Sequence, residues 1–382
     1  MAVPFTLGIE EEFQIVDPTT RELRAHITQL IEANTPLDEV NLMAELHESV
    51  VEVATGVCTD IRDARRQVLA NRRKVARIAE RVGMSIAAAS THPFSRWQDQ
   101  PISDKQRYLK VLDELQDVAR ANLIFGLHVH VGMPDRREAI AVFNMARYFL
   151  PHLLALSGSS PFLEGRDTGL KSARSLVFER LPRTGIPERF DGYSDFVEYV
   201  DTLVATGCID DGSRIWWDLR PHPRHDTLEF RICDIPTNVE HTVTIAALVQ
   251  AIVARLTMLY RNNMSWGVHR TAFIRENKWR ALRYGIDGRL IDFGRRAEAP
   301  FVDLADELLD FVEPVVDELG SRWAIEGVHD ILAAGTSADQ QRRVYEESGG
   351  DFHAVVDWVI AETLRGVPDD ATIERDAAMG HA

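Results

Sequence analysis

Apolar and polar positions alternate over residues 3–16, the period-2 pattern of a strand with one packed face. Phe5, Leu7, Ile9, Phe13 and Ile15 share one side, and Glu10 and Glu12 share the other. Asp17-Pro18 ends the run. Strand character returns at 50–54, whereas 41–49 mixes signals. Asp60 fits the N-cap of a helix reaching residue 81, with Gly83 as its stop. That helix carries Arg62, Arg65, Arg66, Arg72, Arg73, Lys74 and Arg77, which read as a solvated face. Further strands are expected at 85–90, 123–131, 214–219 and 227–233, the last two as neighbours or a hairpin. Helices are expected at 104–120, 135–156, 191–206 and 239–260. The last third reads as mostly helical, at 267–283, 299–319, 322–334, 337–347 and 351–363, before a polar, frayed tail from about 369.

Strands scattered among long helices do not match regular βαβ winding. The expectation is an α+β fold: an antiparallel sheet with helices on its outer face. Neither a repeat nor a linker stands out, so 1–382 reads as one domain.

Composition narrows the function. Forty-three basic and 59 acidic residues give a formal net charge of -16, which argues against a nucleic-acid binder. Neither a signal peptide nor an apolar run of transmembrane length is visible. The run near 245–253 is broken by Gln250, so no membrane role is expected. Cys58, Cys208 and Cys233 are too scattered for a disulfide framework and read as structural thiols in a reducing cytoplasm.

The candidate chemistry lies on the strands. Glu10 and Glu12 form one pair of acids, and His128 and His130 place two imidazoles on one strand face. Glu229 and Arg231 form a third such pair, preceded by Arg220. Glu45, Glu48 and Glu52 add further carboxylates, Glu48 with the weakest case. Buried like charges conflict unless a cation intervenes, and a divalent metal resolves that conflict. The plainer readings are a solvated acidic face, a hydrogen-bonded core histidine pair and an Arg231–Glu229 salt bridge. In a metal-rich site Arg231 could instead hold a transferring phosphoryl group. The basic loop at 166–174 and His222-Pro223-Arg224-His225 could contact a substrate carboxylate or ATP, or simply be exposed. No Walker A sequence, dinucleotide fingerprint or Gly-x-Ser-x-Gly elbow occurs.

Several blocks together resemble the carboxylate–amine ligase family known as glutamate–cysteine ligase type 2, within the glutamine synthetase-like superfamily. They are Gly8-Ile9-Glu10-Glu11-Glu12-Phe13, Glu45-Leu46-His47-Glu48-Ser49-Val50-Val51-Glu52, Thr91-His92-Pro93-Phe94, Gly126-Leu127-His128-Val129-His130-Val131, Trp217-Asp218-Leu219-Arg220-Pro221 and Leu228-Glu229-Phe230-Arg231. The resemblance implies a glutamine synthetase-like catalytic domain, a strongly curved antiparallel sheet forming a funnel backed by helices. It implies ATP and Mg2+ or Mn2+ as cofactors. Small carboxylate and amine substrates, a cytoplasmic setting and a homodimer are also implied. Carried onto this chain, Glu12, Glu45 and Glu52 would hold a metal near the acceptor and amine. Glu10, His128 and Glu229 would hold one on the ATP phosphates. Arg231 would stabilise the transferring phosphoryl group, and His130 would support a ligand or touch phosphate. Arg220 would contact nucleotide or acyl phosphate. The implied reaction forms an amide through an acyl phosphate, with L-glutamate and L-cysteine as one candidate pair. Two other readings stand beside it: a metallohydrolase working without ATP, and a scaffold descended from a ligase.

Overall fold

A computed structural model describes residues 5–38 and 40–369. The first residues of the initial predicted strand, and nearly all of the predicted frayed tail, lie outside the described residues.

Seven strands form the main sheet: β1 (Leu7–Val16), β2 (Leu42–Ala44), β3 (Val50–Ala54), β4 (Ser85–Ala87), β5 (Leu127–Gly132), β6 (Leu219–Pro221) and β7 (Thr227–Phe230). Their order is β6-β7-β5-β1-β3-β2, with β4 pairing the end of β1, and every pairing is antiparallel. The α+β expectation holds, but the expected funnel is absent. No sheet is closed or strongly curled. The outer strands β2 and β6 are three residues each and do not meet, so nothing closes the sheet.

Helices back one face. On β1 the odd positions Leu7, Ile9, Phe13 and Ile15 are fully packed, as their alternation predicts. The long helices Ile61–Arg81 and Val239–Arg261 pack on that side, the second also against several other helices. Asp60 caps the first, its side chain accepting from Arg62 N at 2.8 Å and Asp63 N at 2.9 Å.

The solvated reading of that helix fails at Arg72, one of the largest fully buried side chains. Glu11 lies on the packed face of β1, and Arg72 Nη2 donates to its carboxylate at 2.6 Å. Arg72 also donates to the carbonyls of Thr237 (2.6 Å), Pro236 (3.0 Å) and Thr363 (3.1 Å). A buried charge held by a partner and several carbonyls ties helix, sheet and the C-terminal helix together.

Other predicted elements shift. The 104–120 helix breaks at Gln116, whose φ is 48°. A short helix, Ile27–Ala33, and a hairpin of Arg289–Asp292 with Ala297–Pro300 were not expected, and the following helix starts at Phe301. Arg136–Ser157 and Val239–Arg261 have the length and apolar composition of membrane spans. In each, 83% of the most apolar stretch is packed inside the fold. Cys58 and Cys233 are buried free thiols, whereas Cys208 is exposed.

Candidate active site

The face of the sheet turned away from the long helices carries the chemistry. Even-numbered side chains of β1 point there, and the strand register does the rest. Glu10 stands opposite His128 on β5, and Glu12 opposite Glu52 on β3. Glu229 on β7 stands opposite His130 on one side and Arg220 on the other. The predicted residues of β1, β3, β5, β6 and β7 therefore form one lattice on one face.

Contacts within the lattice are close. Nδ1 of His128 lies 2.9 Å from Glu10 Oε2. His130 Nε2 lies 3.3 Å from Glu10 Oε1 without an aligned hydrogen bond, and its Nδ1 is 3.2 Å from Thr227 Oγ1. Arg220 Nε donates to Glu229 Oε2 at 2.6 Å, and Arg231 donates to the other oxygen of Glu229. Arg231 thus makes the salt bridge that the plainer reading foresaw, while its Nε stays without a partner.

The electrostatics follow from these contacts. Burial works to raise Glu229, but Arg231, Arg220 and His130 outweigh it and hold the carboxylate well below its usual range. Burial also opposes ionisation of Glu10, yet its bond to His128 and the close approach of His130 keep it below that range. Burial and the nearby Arg231 charge push His128 down to about 4, so its ring is neutral. If Nδ1 donates to Glu10, Nε2 keeps a lone pair for a ligand. For His130, burial is overcome by Glu10 and Glu229, and the ring is raised above its ordinary value.

Glu10, His128 and Glu229 each offer a ligand atom, all within 4.8 Å of one another. Among the described residues no other three acids, histidines or cysteines are drawn so tightly. Glu12, Glu45 and Glu52 form a looser neighbouring group. Burial and the Glu45 charge push Glu12 up to about 7, although Gly126 N donates to it at 2.6 Å. Burial and Glu45 likewise raise Glu52 well above the carboxylate range. Glu45 accepts from Tyr108 Oη at 3.2 Å and from Arg107 at 3.4 Å. Three crowded carboxylates with too little positive charge among them fit a divalent cation. Oxygen donors with one imidazole suit a hard divalent cation. Glu48 contributes through its backbone, its carbonyl accepting from His26 and Ile27 at 3.1 Å each.

Two cavities flank the lattice. The larger, about 330 Å³, lies on the Arg220 side and is lined by Tyr193, Phe196, Arg220, His222, Arg224 and Thr227, among others. The smaller, about 140 Å³, contains Glu12, Glu45, His128, Arg174, Phe178 and Arg231 in its wall. Arg174 was visible in the sequence only as the end of a basic loop. It is now a buried side chain of the cavity, at the start of the short helix Ala173–Phe178. Gly126 makes room for it: a Cβ there would lie 2.5 Å from Arg174 Nη2 and 3.2 Å from His128 Nε2.

Residues 6–357 match the family described as "Glutamate-cysteine ligase family 2 (GCS2)". A protein of Herpetosiphon aurantiacus named "Putative glutamate--cysteine ligase 2" is 52% identical over 370 residues, covering 97% of this chain and 96% of its own. A protein of the same name from Sorangium cellulosum is 54% identical over 365 residues, covering 95% and 97%. Among solved structures, the glutamate–cysteine ligase of Francisella tularensis in complex with AMP aligns with a TM-score of 0.67 at 14% identity. It covers 98% of this chain and 91% of its own. At that identity the likeness concerns the fold.

Proposed function

Since this chain belongs to glutamate–cysteine ligase family 2 and is an ATP-dependent carboxylate–amine ligase, we propose that the lattice on the face of its sheet turned away from the long helices is the catalytic centre. The observation that carries this reading is the Glu10–His128–Glu229 group beside two arginines. Its ordered acids and neutral imidazole are what a nucleotide-bound metal needs. The flanking guanidiniums are what a transferring phosphoryl group needs.

The chemistry sets the division of labour. A carboxylate is a poor electrophile because its leaving group would be oxide. Transfer of the ATP γ-phosphoryl group gives an acyl phosphate, an amine attacks the carbonyl carbon, and phosphate leaves. Mg2+ or Mn2+, held by Glu10, His128 and Glu229 and by Glu12, Glu45 and Glu52, would supply charge neutralisation on the phosphate oxygens. Arg231 turns its unpartnered Nε and remaining donors to the transferring group. Arg220 braces Glu229 and meets the nucleotide from the larger cavity. His130, raised by Glu10, supports Glu10 and presents its Nε2 to phosphate. On this reading ATP occupies the Arg220 side and the other substrates the Glu12 side.

The substrates are small carboxylates and amines, amino acids by preference, with L-glutamate and L-cysteine as the first pair to test. We also propose a cytoplasmic setting, with which the free thiols are in keeping, and a homodimeric assembly. The test is ADP and phosphate release from the purified chain across a matrix of acids and amines, with products identified by mass. Release that needs both substrates and gives an amide supports the reading. Metal-dependent hydrolysis without ATP would replace it with a metallohydrolase.

A further inference from the structure

The smaller cavity carries three kinds of chemistry. The first is a buried cation. Arg174 is 3% exposed, and its Nη groups donate to the carbonyls of Ile232 at 3.3 Å and Arg231 at 3.1 Å. Its Nε has no partner, and Asp234 lies 3.9 Å away. Asp234 is already engaged, accepting from Ser159 N, Ser160 Oγ and Ser172 Oγ at 2.7–2.9 Å. Asp234 is the counter-charge of this guanidinium and Glu12 also acts on it, but the buried Nε still has a donor to offer a ligand carboxylate in the cavity.

The second is a set of acceptors. Glu12 and Glu45 line the same cavity, and Asn122, also in its wall, has a buried Oδ1 without a donor. Such a set matches an amine. The third is hydrocarbon. Ile124, Phe178 and Leu181 belong to a separate apolar cluster that Trp216 packs against, and all four line the cavity.

We propose that this cavity is the amine-substrate subsite, and that its substrate is a small α-amino acid with an aliphatic side chain, of the size of valine or leucine. The proposal rests on the ligase reading above and names the substrate class of that site. The carboxylate meets Arg174, the nitrogen lies toward Glu12 and Glu45, and the side chain packs on Phe178, Ile124, Leu181 and Trp216. At about 140 Å³ it is the smaller of the two cavities beside the lattice, and its apolar wall sets the side-chain preference. Each methylene buried on the apolar wall is worth roughly fourfold in affinity, which favours leucine over glycine, serine or cysteine. In the reaction the nitrogen forms a bond to the acyl carbon, and the carbon–oxygen bond to phosphate breaks. Phosphate departs with that electron pair, and the proton shed by the nitrogen leaves on it.

Two assays on the full chain separate this proposal from the ligase reading. In the first, MgATP, hydroxylamine and a panel of carboxylic acids are mixed with enzyme. Hydroxylamine traps any acyl phosphate as a hydroxamate, whatever the natural amine. In the second, the best acid is paired with L-valine, L-leucine, L-cysteine, L-serine, glycine and 3-methylbutylamine, which is leucine without its carboxylate. The expected result is a kcat/KM for leucine or valine at least tenfold above cysteine, serine and glycine, and above 3-methylbutylamine. Arg174→Met should abolish the preference for leucine over 3-methylbutylamine, and Arg174→Lys should restore part of it. Hydroxamate formation with cysteine, serine or glycine as the best amine overturns the proposal and leaves the ligase reading standing. Absence of hydroxamate with every acid overturns both. Should the Arg174 variants fail to fold, the wild-type amine ranking decides alone.

Discussion

Glu10 on β1 and His128 on β5 face each other across the ladder, and the 2.9 Å contact between Oε2 and Nδ1 sets which histidine nitrogen is left for a ligand. Glu10→Gln keeps the shape but removes the charge that orients the ring. Mn2+ affinity, read from the free-ion EPR signal during titration, should fall by at least about tenfold. Circular dichroism should stay unchanged. An unaltered Mn2+ titration would show that Glu10 serves only to pack His128.

Arg231 and Arg220 both contact Glu229, but they are not equivalent. Arg220 is occupied with the carbonyls of Ser213 and Ile215 as well as Glu229. Arg231 has an unpartnered Nε and lines the substrate cavity. Arg231→Ala should lower kcat by about 10²–10³, the usual cost of removing a donor to transition-state charge. Arg231→Lys should recover little, because a point charge lacks the planar fork. Equal losses in kcat and in ATP affinity would point to ground-state binding instead.

Glu52 is crowded by Glu45, Glu10 and Glu12. In EDTA at neutral pH, Glu52→Gln removes a carboxyl that must take up a proton on folding, and should stabilise the protein by about 1 kcal/mol. With Mg2+ or Mn2+ the same variant should lose much of the metal-induced rise in Tm. Destabilisation in EDTA would show that Glu52 holds the fold rather than a metal.

His92 provides a pH signature away from the site. Its Nε2 is 2.8 Å from the Arg21 carbonyl, while Nδ1 accepts from Ser95 N at 2.9 Å and Phe94 N at 3.3 Å. Both nitrogens are committed in the neutral ring, and burial pushes the imidazole down to about 3. A folded-state value below the unfolded one means its stabilisation is present above pH 6.5. It is lost as pH falls, because the unfolded chain takes the proton first. Between pH 6.5 and 3 this one group should cost about 1.4 kcal/mol per pH unit. Urea unfolding of the wild type against His92→Gln should show that difference in slope. Parallel pH profiles would show that His92 does not contribute to the acid sensitivity of the fold.

How much of this was legible in the sequence depended on range. Glu10 with Glu12, His128 with His130 and Glu229 with Arg231 were readable as same-face pairs, because a strand's period of two is a local property. Their joining into one lattice required the β6-β7-β5-β1-β3 order, which no local pattern contains. Glu11 looked like one more acid in a row, and Arg72 like one more base on a helix. Only the packing of that helix on β1 turns them into a buried pair. Arg174 stayed hidden for the same reason, since its role depends on Gly126 and on the carbonyls after β7. The open sheet departs from the expected funnel because resemblance carries over motifs more faithfully than curvature.

The acyl phosphate is the intermediate on which this mechanism turns, and oxygen transfer reports on it. An acid substrate identified in the release matrix is labelled with 18O in its reacting carboxylate and incubated with the enzyme, MgATP and its amine. The released phosphate is then analysed by mass. The expected result is one 18O carried from the carboxylate into each phosphate formed with amide. Unlabelled phosphate alongside full amide yield would contradict an acyl-phosphate route and the placement of Arg231 on it.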